Sequence, residues 1–450
     1  MYYNKKDKRK KGITYKSSII MSIPKRKEKG MKFNMEGIKI HKIQTNQFKT
    51  NLYAVFLATP LKRENVTKDA LIAAVLRRGT MSIPSQDKIS KELEEMYGAS
   101  FDCGIEKTGD NHVIKFYLEA LNEEFLPEKE ELTQKCINIL LDIVTNPLVE
   151  DNGFKKEYVE GEKENLKQII NGKIDNKARY SLDRCIEEIF KGEPYGLYKY
   201  GYVEDLENIT PQSLYEYYQE LIKNCKMDIY YSGIFNDDKT EQIINKKLAE
   251  NNVEPRQAKY VVNNETTEKK NIEEPKKVEE SMDVTQGKLV LGLQIGDNNK
   301  DSRFAASVYN AILGGGANSK LFQNVREKNS LAYTASSSYI RTKNVILVHC
   351  GIDIDKYEKA LETIKEQLED MKKGNFTDKD IDDAKKLIVS SIKSISAEQD
   401  TEITYDYGQE LSNEHTTMKE YEEKIQNATR EQIIEIANKV NINTIYFLKN

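Results

Sequence analysis

Apolar residues recur along this chain with periods that switch between two and about 3.6, so strands and helices alternate. Asn51–Leu61 is an apolar run of strand type. Lys68–Arg78, rich in Ala and Leu, predicts a buried helix ended by Gly79. Lys88–Tyr97 is an amphipathic helix closed by Gly98, and Ala99–Ile105 and His112–Glu119 alternate as two strands around Thr108-Gly109-Asp110. Helices follow over Lys129–Thr145, about Gly153–Ile170 and Lys177–Phe190. Thr210-Pro211 opens another, with Thr as N-cap and Pro at the first helical position, and Met227–Ile234 is a strand.

After residue 286 the order begins again. Lys288–Gly296 is a strand, Ser302–Leu313 an apolar helix ended by Gly314-Gly315-Gly316, and Ser319–Lys328 a second helix. Leu331–Ile340 and Val345–Ile352 pair as strands. Helices cover about Lys356–Lys373 and Asp378–Ile395 and continue to Val440, and Thr444–Leu448 closes as a strand. Gly79 matches Gly314, a spacing of 235, which reads as an internal duplication. The fold class is therefore α+β: two duplicated domains, 35–250 and 287–450, each an antiparallel sheet packed against helices. Residues 251–286, with charges of both signs, Pro255 and Pro275 and few apolar residues, read as a linker.

Charge changes this picture at the N-terminus. Residues 1–30 hold eleven Lys/Arg against Asp7 and Glu28, so residues 1–34 read as a basic disordered tail, with Met21, Met31 and Met35 as alternative starts. The whole chain carries −4 and residues 1–30 carry 11 − 2 = +9, so residues 31–450 carry −4 − 9 = −13. An acidic body argues against a nucleic-acid partner and suits a basic or unfolded peptide. No stretch reaches the roughly 18 apolar residues of a membrane span, and Ile19–Met21 is too short for a signal sequence. Five scattered cysteines without a CxxC pair fit a reducing cytoplasm rather than a disulfide framework or a cysteine zinc site. The four histidines, His41, His112, His349 and His415, supply no pair at metal-binding helical spacing. Gly314–Gly316 lacks the Gly-Lys-Ser/Thr ending of a phosphate loop. The 26 tyrosines fall mostly at helical or strand spacing, as core and surface filling does.

Several stretches carry a resemblance. They are Gly79-Thr80 after the Ala-rich helix, Pro194-Tyr195-Gly196…Gly201…Ile209-Thr210…Leu214…Tyr218, and Leu313-Gly314-Gly315-Gly316…Ser319…Leu321-Phe322…Val325-Arg326-Glu327-Lys328…Leu331-Ala332-Tyr333. In order and spacing, residues 38–450 resemble the pitrilysin, insulinase and mitochondrial processing peptidase family, whose fold is a clam shell. Its active members carry H-x-x-E-H on the first apolar helix, two histidines for zinc and a glutamate as general base. The matching positions here are Ala70, Ala73 and Ala74, and the third-ligand position is Glu164. A lone carboxylate cannot hold zinc, so no metal or other cofactor is expected in this chain.

The family's C-terminal half offers an Arg and a Tyr to the other domain's active site, and Arg326 and Tyr333 match that pair. The resemblance thus implies the non-zinc subunit of a two-chain processing metallopeptidase. A homologous partner would hold the zinc, while Arg326 and Tyr333 bind an unfolded or small peptide and stabilise its oxyanion. Gly314–Gly316 would lie near the substrate backbone. One bacterial subgroup of this type is associated with aminopentanol modification of elongation factor P, and bacteriocin maturation is another setting. The alternative is a catalytically inert scaffold or peptide-binding module of the same fold. No Ser/His/Asp or Cys/His arrangement can be placed for an independent peptidase.

Overall fold

The computed structural model describes residues 37–255, 274–296 and 301–450, so the expected basic tail and residues 256–273 of the expected linker lie outside the described residues. From residue 37 on, the described residues fold as one unit. The first half runs β1 (Ile38–Gln44), β2 (Thr50–Pro60), α1 (Val66–Leu76), α2 (Gln86–Glu95), β3 (Ser100–Thr108), β4 (Asn111–Leu121) and α3 (Leu132–Thr145). It continues with the short pair β5 (Val149–Glu150) and β6 (Gly153–Phe154), then α4 (Lys156–Asn171), α5 (Lys177–Ile189), α6 (Val203–Leu206), α7 (Pro211–Asn224), β7 (Lys226–Gly233) and α8 (Asp237–Glu250). The second half runs β8 (Lys276–Ser281), β9 (Gly287–Ile295), α9 (Ser302–Gly314), a π-helical stretch (Phe322–Lys328), β10 (Ala332–Ile340) and β11 (Val345–Ile352). It ends with α10 (Tyr357–Lys372), α11 (Asp378–Ile395), α12 (Gln399–Leu411), α13 (Met418–Gln426), α14 (Arg430–Lys439) and β12 (Val440–Lys449).

The two main sheets share one topology, β1-β7-β2-β4-β3 and β8-β12-β9-β11-β10. Each is antiparallel except at one edge, where β1 pairs parallel with β7 and β8 with β12. Strand β8 corrects the expected linker, because Lys276–Ser281 falls inside 251–286. Its charges suit an edge strand, where polar side chains discourage further pairing. Glu280 is not solvated as a linker acid would be. Its carboxylate accepts from Tyr180 (3.0 Å), Tyr446 (2.9 Å) and Arg184 Nε (2.8 Å).

Local chemistry sets the element ends. Thr210 accepts from the Ser213 amide at 3.1 Å with Pro211 at the first helical position. Thr377, Thr417 and Thr429 form capping boxes at the starts of α11, α13 and α14. The β3–β4 turn needs Gly109, whose φ is +57°.

Each sheet buries one face under its own helices. Val55, Leu57, Phe116 and Ile229 meet α1, α3 and α7, while Leu291, Val348 and Phe447 meet α9, α10 and α14. The opposite faces are covered reciprocally. Ile403, Tyr407 and Leu411 of α12 pack on Ala54, Phe56 and Tyr230 of the first sheet, and Cys185 and Ile189 of α5 pack on Val290, Leu347 and Tyr446 of the second. Gly292 makes room for α5, since a Cβ there would collide with Ile189. Polar ties follow the same seam: Gln399 accepts from Thr50 at 3.0 Å and donates to the Ser232 carbonyl at 3.1 Å. Buried Lys343, in the β10–β11 turn, pairs with Asp110 in the β3–β4 turn at 2.5 Å.

Candidate functional site

Helical spacing puts Ala70, Ala73 and Ala74 on one face of α1. Ala70 and Ala73 are buried in the first core. Facing them from β3, the Cys103 thiol donates to the Ala73 carbonyl at 3.5 Å, and burial pushes that thiol up to about 11, so it stays protonated. On α4 the expected third-ligand position, Glu164, is exposed. The buried acid there is Glu162, 7% exposed, which accepts from Arg78 Nη1 and from Asn165, each at 3.1 Å. Methyl groups, a protonated thiol and an arginine-paired carboxylate do not fit a zinc ion. Among the described residues no group of three or more His, Cys, Asp or Glu could hold a metal.

Beside that face lies a polar cluster that sequence reasoning missed. Asp69, 1% exposed inside the apolar helix α1, accepts from Tyr217 (2.8 Å), Thr59 (3.2 Å) and His112 Nδ1 (2.9 Å). His112 Nε2 lies 2.8 Å from the Lys199 carbonyl oxygen. Both ring nitrogens thus face oxygen atoms, Asp69 Oδ2 on one side and the Lys199 carbonyl on the other. This cluster ties α1 to β4 and to the loop before α6. Its one legible signal was an aspartate in an otherwise apolar helical run.

The second half presents Arg326 and Tyr333 on irregular backbone. Arg326 lies in the π-helical stretch Phe322–Lys328, where a regular helix had been expected. Such stretches widen the helix by one residue per turn and recur at functional sites. The Arg326 guanidinium stacks over Phe322 at 4.5 Å, with Nε 3.5 Å from Glu327. The connection to β10 folds back on this stretch through Ser330 N–H to the Arg326 carbonyl (3.1 Å) and Leu331 N–H to the Val325 carbonyl (2.9 Å). Ser330 takes the left-handed φ of +50°.

Tyr333 sits at a β-bulge. Ala332 pairs with Ile352 and Thr334 with Gly351, so Tyr333 is the extra residue. A bulge re-aims the side chain it carries, and Tyr333 is 61% exposed, with its hydroxyl donating to Asp353 Oδ1 at 3.1 Å.

Gly314–Gly316 has a packing reason. Gly314 ends α9 against β10, where a Cβ would come within 2.5 Å of Ser337 Oγ and 2.6 Å of its amide nitrogen. Gly315 keeps right-handed backbone, φ −80° and ψ −5°. Close approach, rather than left-handed freedom, is what calls for glycine at position 314.

A profile described as "Peptidase M16 inactive domain" matches residues 208–388, from just before α7 into α11. The chain is 35% identical over 414 residues, 92% of its length and 96% of the other's, to "Probable inactive metalloprotease YmfF" of Bacillus subtilis. The same organism holds a more distant relative, "Uncharacterized zinc protease YmxG", 22% identical over 58% of this chain and 61% of that one. Among solved structures, a conserved protein from Enterococcus faecalis superposes with TM-score 0.84 at 27% identity, covering 92% of this chain and 97% of that one.

Proposed function

Because this chain belongs to the M16 peptidase family, as an inactive metalloprotease homologue, we propose that it is the non-zinc subunit of a two-chain peptidase. A homologous partner carries the metal. This chain contributes Arg326 and Tyr333, which hold an unfolded or small peptide enclosed between the subunits. One juxtaposition supports the reading: Ala70, Ala73 and Ala74 stand where the resemblance expects metal ligands, and Arg326 and Tyr333, the residues that would match the family's Arg/Tyr pair, are exposed on a π-helical stretch and a bulge.

The chemistry follows from the two groups. Arg326 offers a permanent cation with forked donors, suited to carbonyl or carboxylate groups of a peptide. Tyr333 offers one O–H to an oxyanion that develops on the peptide. An edge strand gives such a peptide a place to pair by backbone hydrogen bonds. That Bacillus subtilis holds both a relative named inactive and one named a zinc protease supports a division of labour between two chains.

The test mixes the purified chain with the zinc-bearing homologous subunit of the same organism and follows cleavage of an unstructured fluorogenic peptide. Arg326→Ala with Tyr333→Phe is expected to abolish cleavage while the complex still forms. Unchanged cleavage points to the inert scaffold. A cytoplasmic location and a role beside aminopentanol modification of elongation factor P belong to the same proposal. Deleting the gene is expected to remove the modified factor, and unchanged modification refutes that placement.

A further inference from the structure

The Tyr333 contact bears on how the proposed site is controlled. A phenol has one proton to donate. Here it goes to Asp353 Oδ1 at 3.1 Å, so it is not available to an oxyanion. Asp353 follows β11 directly, and its Oδ2 lies 2.7 Å from Lys356 Nζ. The same ammonium donates to the Ser330 carbonyl at 3.4 Å, in the loop that leads into the bulge. Tyr333, Asp353, Lys356 and Ser330 thus close a ring of contacts around the one residue of β10 that has no partner in the strand ladder.

We propose that Asp353 and Lys356 form a clip that parks the Tyr333 hydroxyl, and that docking of the peptide-loaded partner releases it. The inference rests on the functional reading above and adds regulation to it. Asp353 is a positioning residue: it acts on Tyr333 and touches no substrate. Lys356 keeps Asp353 charged and paired after release, so letting the phenol go strands no carboxylate.

The test places 3-fluorotyrosine at position 333 and records its fluorine resonance. In the free chain Asp353→Ala should shift that resonance, and Asp355→Ala, which removes a neighbouring acid, should not. Adding the zinc-bearing subunit and an unstructured peptide should move the wild-type resonance to the Asp353→Ala position. In the cleaving pair Asp353→Ala should raise kcat about fivefold, roughly what one exposed hydrogen bond is worth, with KM nearly unchanged and no gain in a Tyr333→Phe background. A resonance indifferent to Asp353→Ala overturns the clip, whether or not the pair cleaves. A resonance that stays parked in a cleaving complex, or a fall in kcat, overturns the release. If the pair does not cleave at all, the functional reading fails, and the fluorine shifts still decide the clip.

Discussion

Replacing Tyr407 by alanine tests whether the reciprocal helix exchange holds the two halves together. Tyr407 projects from α12 and is 4% exposed. Its ring stacks on Phe56 with centroids 4.0 Å apart and planes at 10°, and it meets Tyr230 edge-on at 6.3 Å. A buried aromatic removes about 150–250 Å² from water, which at about 25 cal/mol per Å² is about 4–6 kcal/mol. Alanine retains part of this, so the expected loss is about 4 kcal/mol, within the range for large-to-small core changes. The hydroxyl makes a separate prediction. Among the described residues it has no hydrogen-bond partner, and burial, then Asp228, raises its pKa well above the usual phenol range. Tyr407→Phe should therefore be neutral or stabilising by up to about 1 kcal/mol. Urea unfolding of the free chain, followed by circular dichroism, checks both. Hydrogen exchange should quicken in β2 for the alanine variant alone. A loss below about 1 kcal/mol for alanine, or a phenylalanine variant as damaged as the alanine one, refutes the reasoning.

Three further outcomes are expected. Burial alone would raise Glu410, but hydrogen bonds and charge from Lys39 and Lys226 outweigh it and hold the carboxyl at about 2. Its folded pKa is thus depressed, so its contribution is present above the unfolded value near 4.3 and is lost as pH falls through about 2. At most about 3 kcal/mol should disappear over that window in acid unfolding, and Glu410→Gln should flatten the slope; an unchanged slope refutes the assignment. Gly314→Ala should lower the melting temperature, by about 1–3 kcal/mol of stability, because the Ser337 backbone blocks the added methyl. Gly316→Ala, whose methyl meets only the Leu387 side chain, should be tolerated, and equal damage from both would contradict the packing account. Lys343→Met leaves Asp110 without its cation and should destabilise by about 3 kcal/mol, and adding Asp110→Asn should restore much of that; a double variant as weak as the single one argues against the pair.

The duplication was legible because apolar period and glycine punctuation repeat together, and the strands and helices it predicts are present. The strand Lys276–Ser281 was not, because its lysines and glutamates mimic a linker. Yet the repeat itself pointed to it: Lys276 lies 276 − 38 = 238 positions after Ile38, close to the spacing that relates the rest. That Ala70, Ala73 and Ala74 carry no metal-binding group was readable directly, but that they stand at the family's ligand positions is what the resemblance implies. The π-helical stretch and the bulge were not readable, because each is a one-residue slip that leaves hydrophobic periodicity almost unchanged. Nor could the sequence say that α5 and α12 cross over. An amphipathic stripe states that a helix covers something apolar and is silent on which sheet. That Glu162 rather than Glu164 faces inward was not readable either, because it depends on how α4 lies against α1.

The crossed helices have one more implication. Each half, expressed by itself, would leave a greasy sheet surface bare and carry an orphaned helix made for the other. A polypeptide severed anywhere between residues 255 and 274 should nonetheless stay one particle, its two fragments interlocked like clasped hands, so fragment complementation rather than independent folding is the behaviour this architecture dictates.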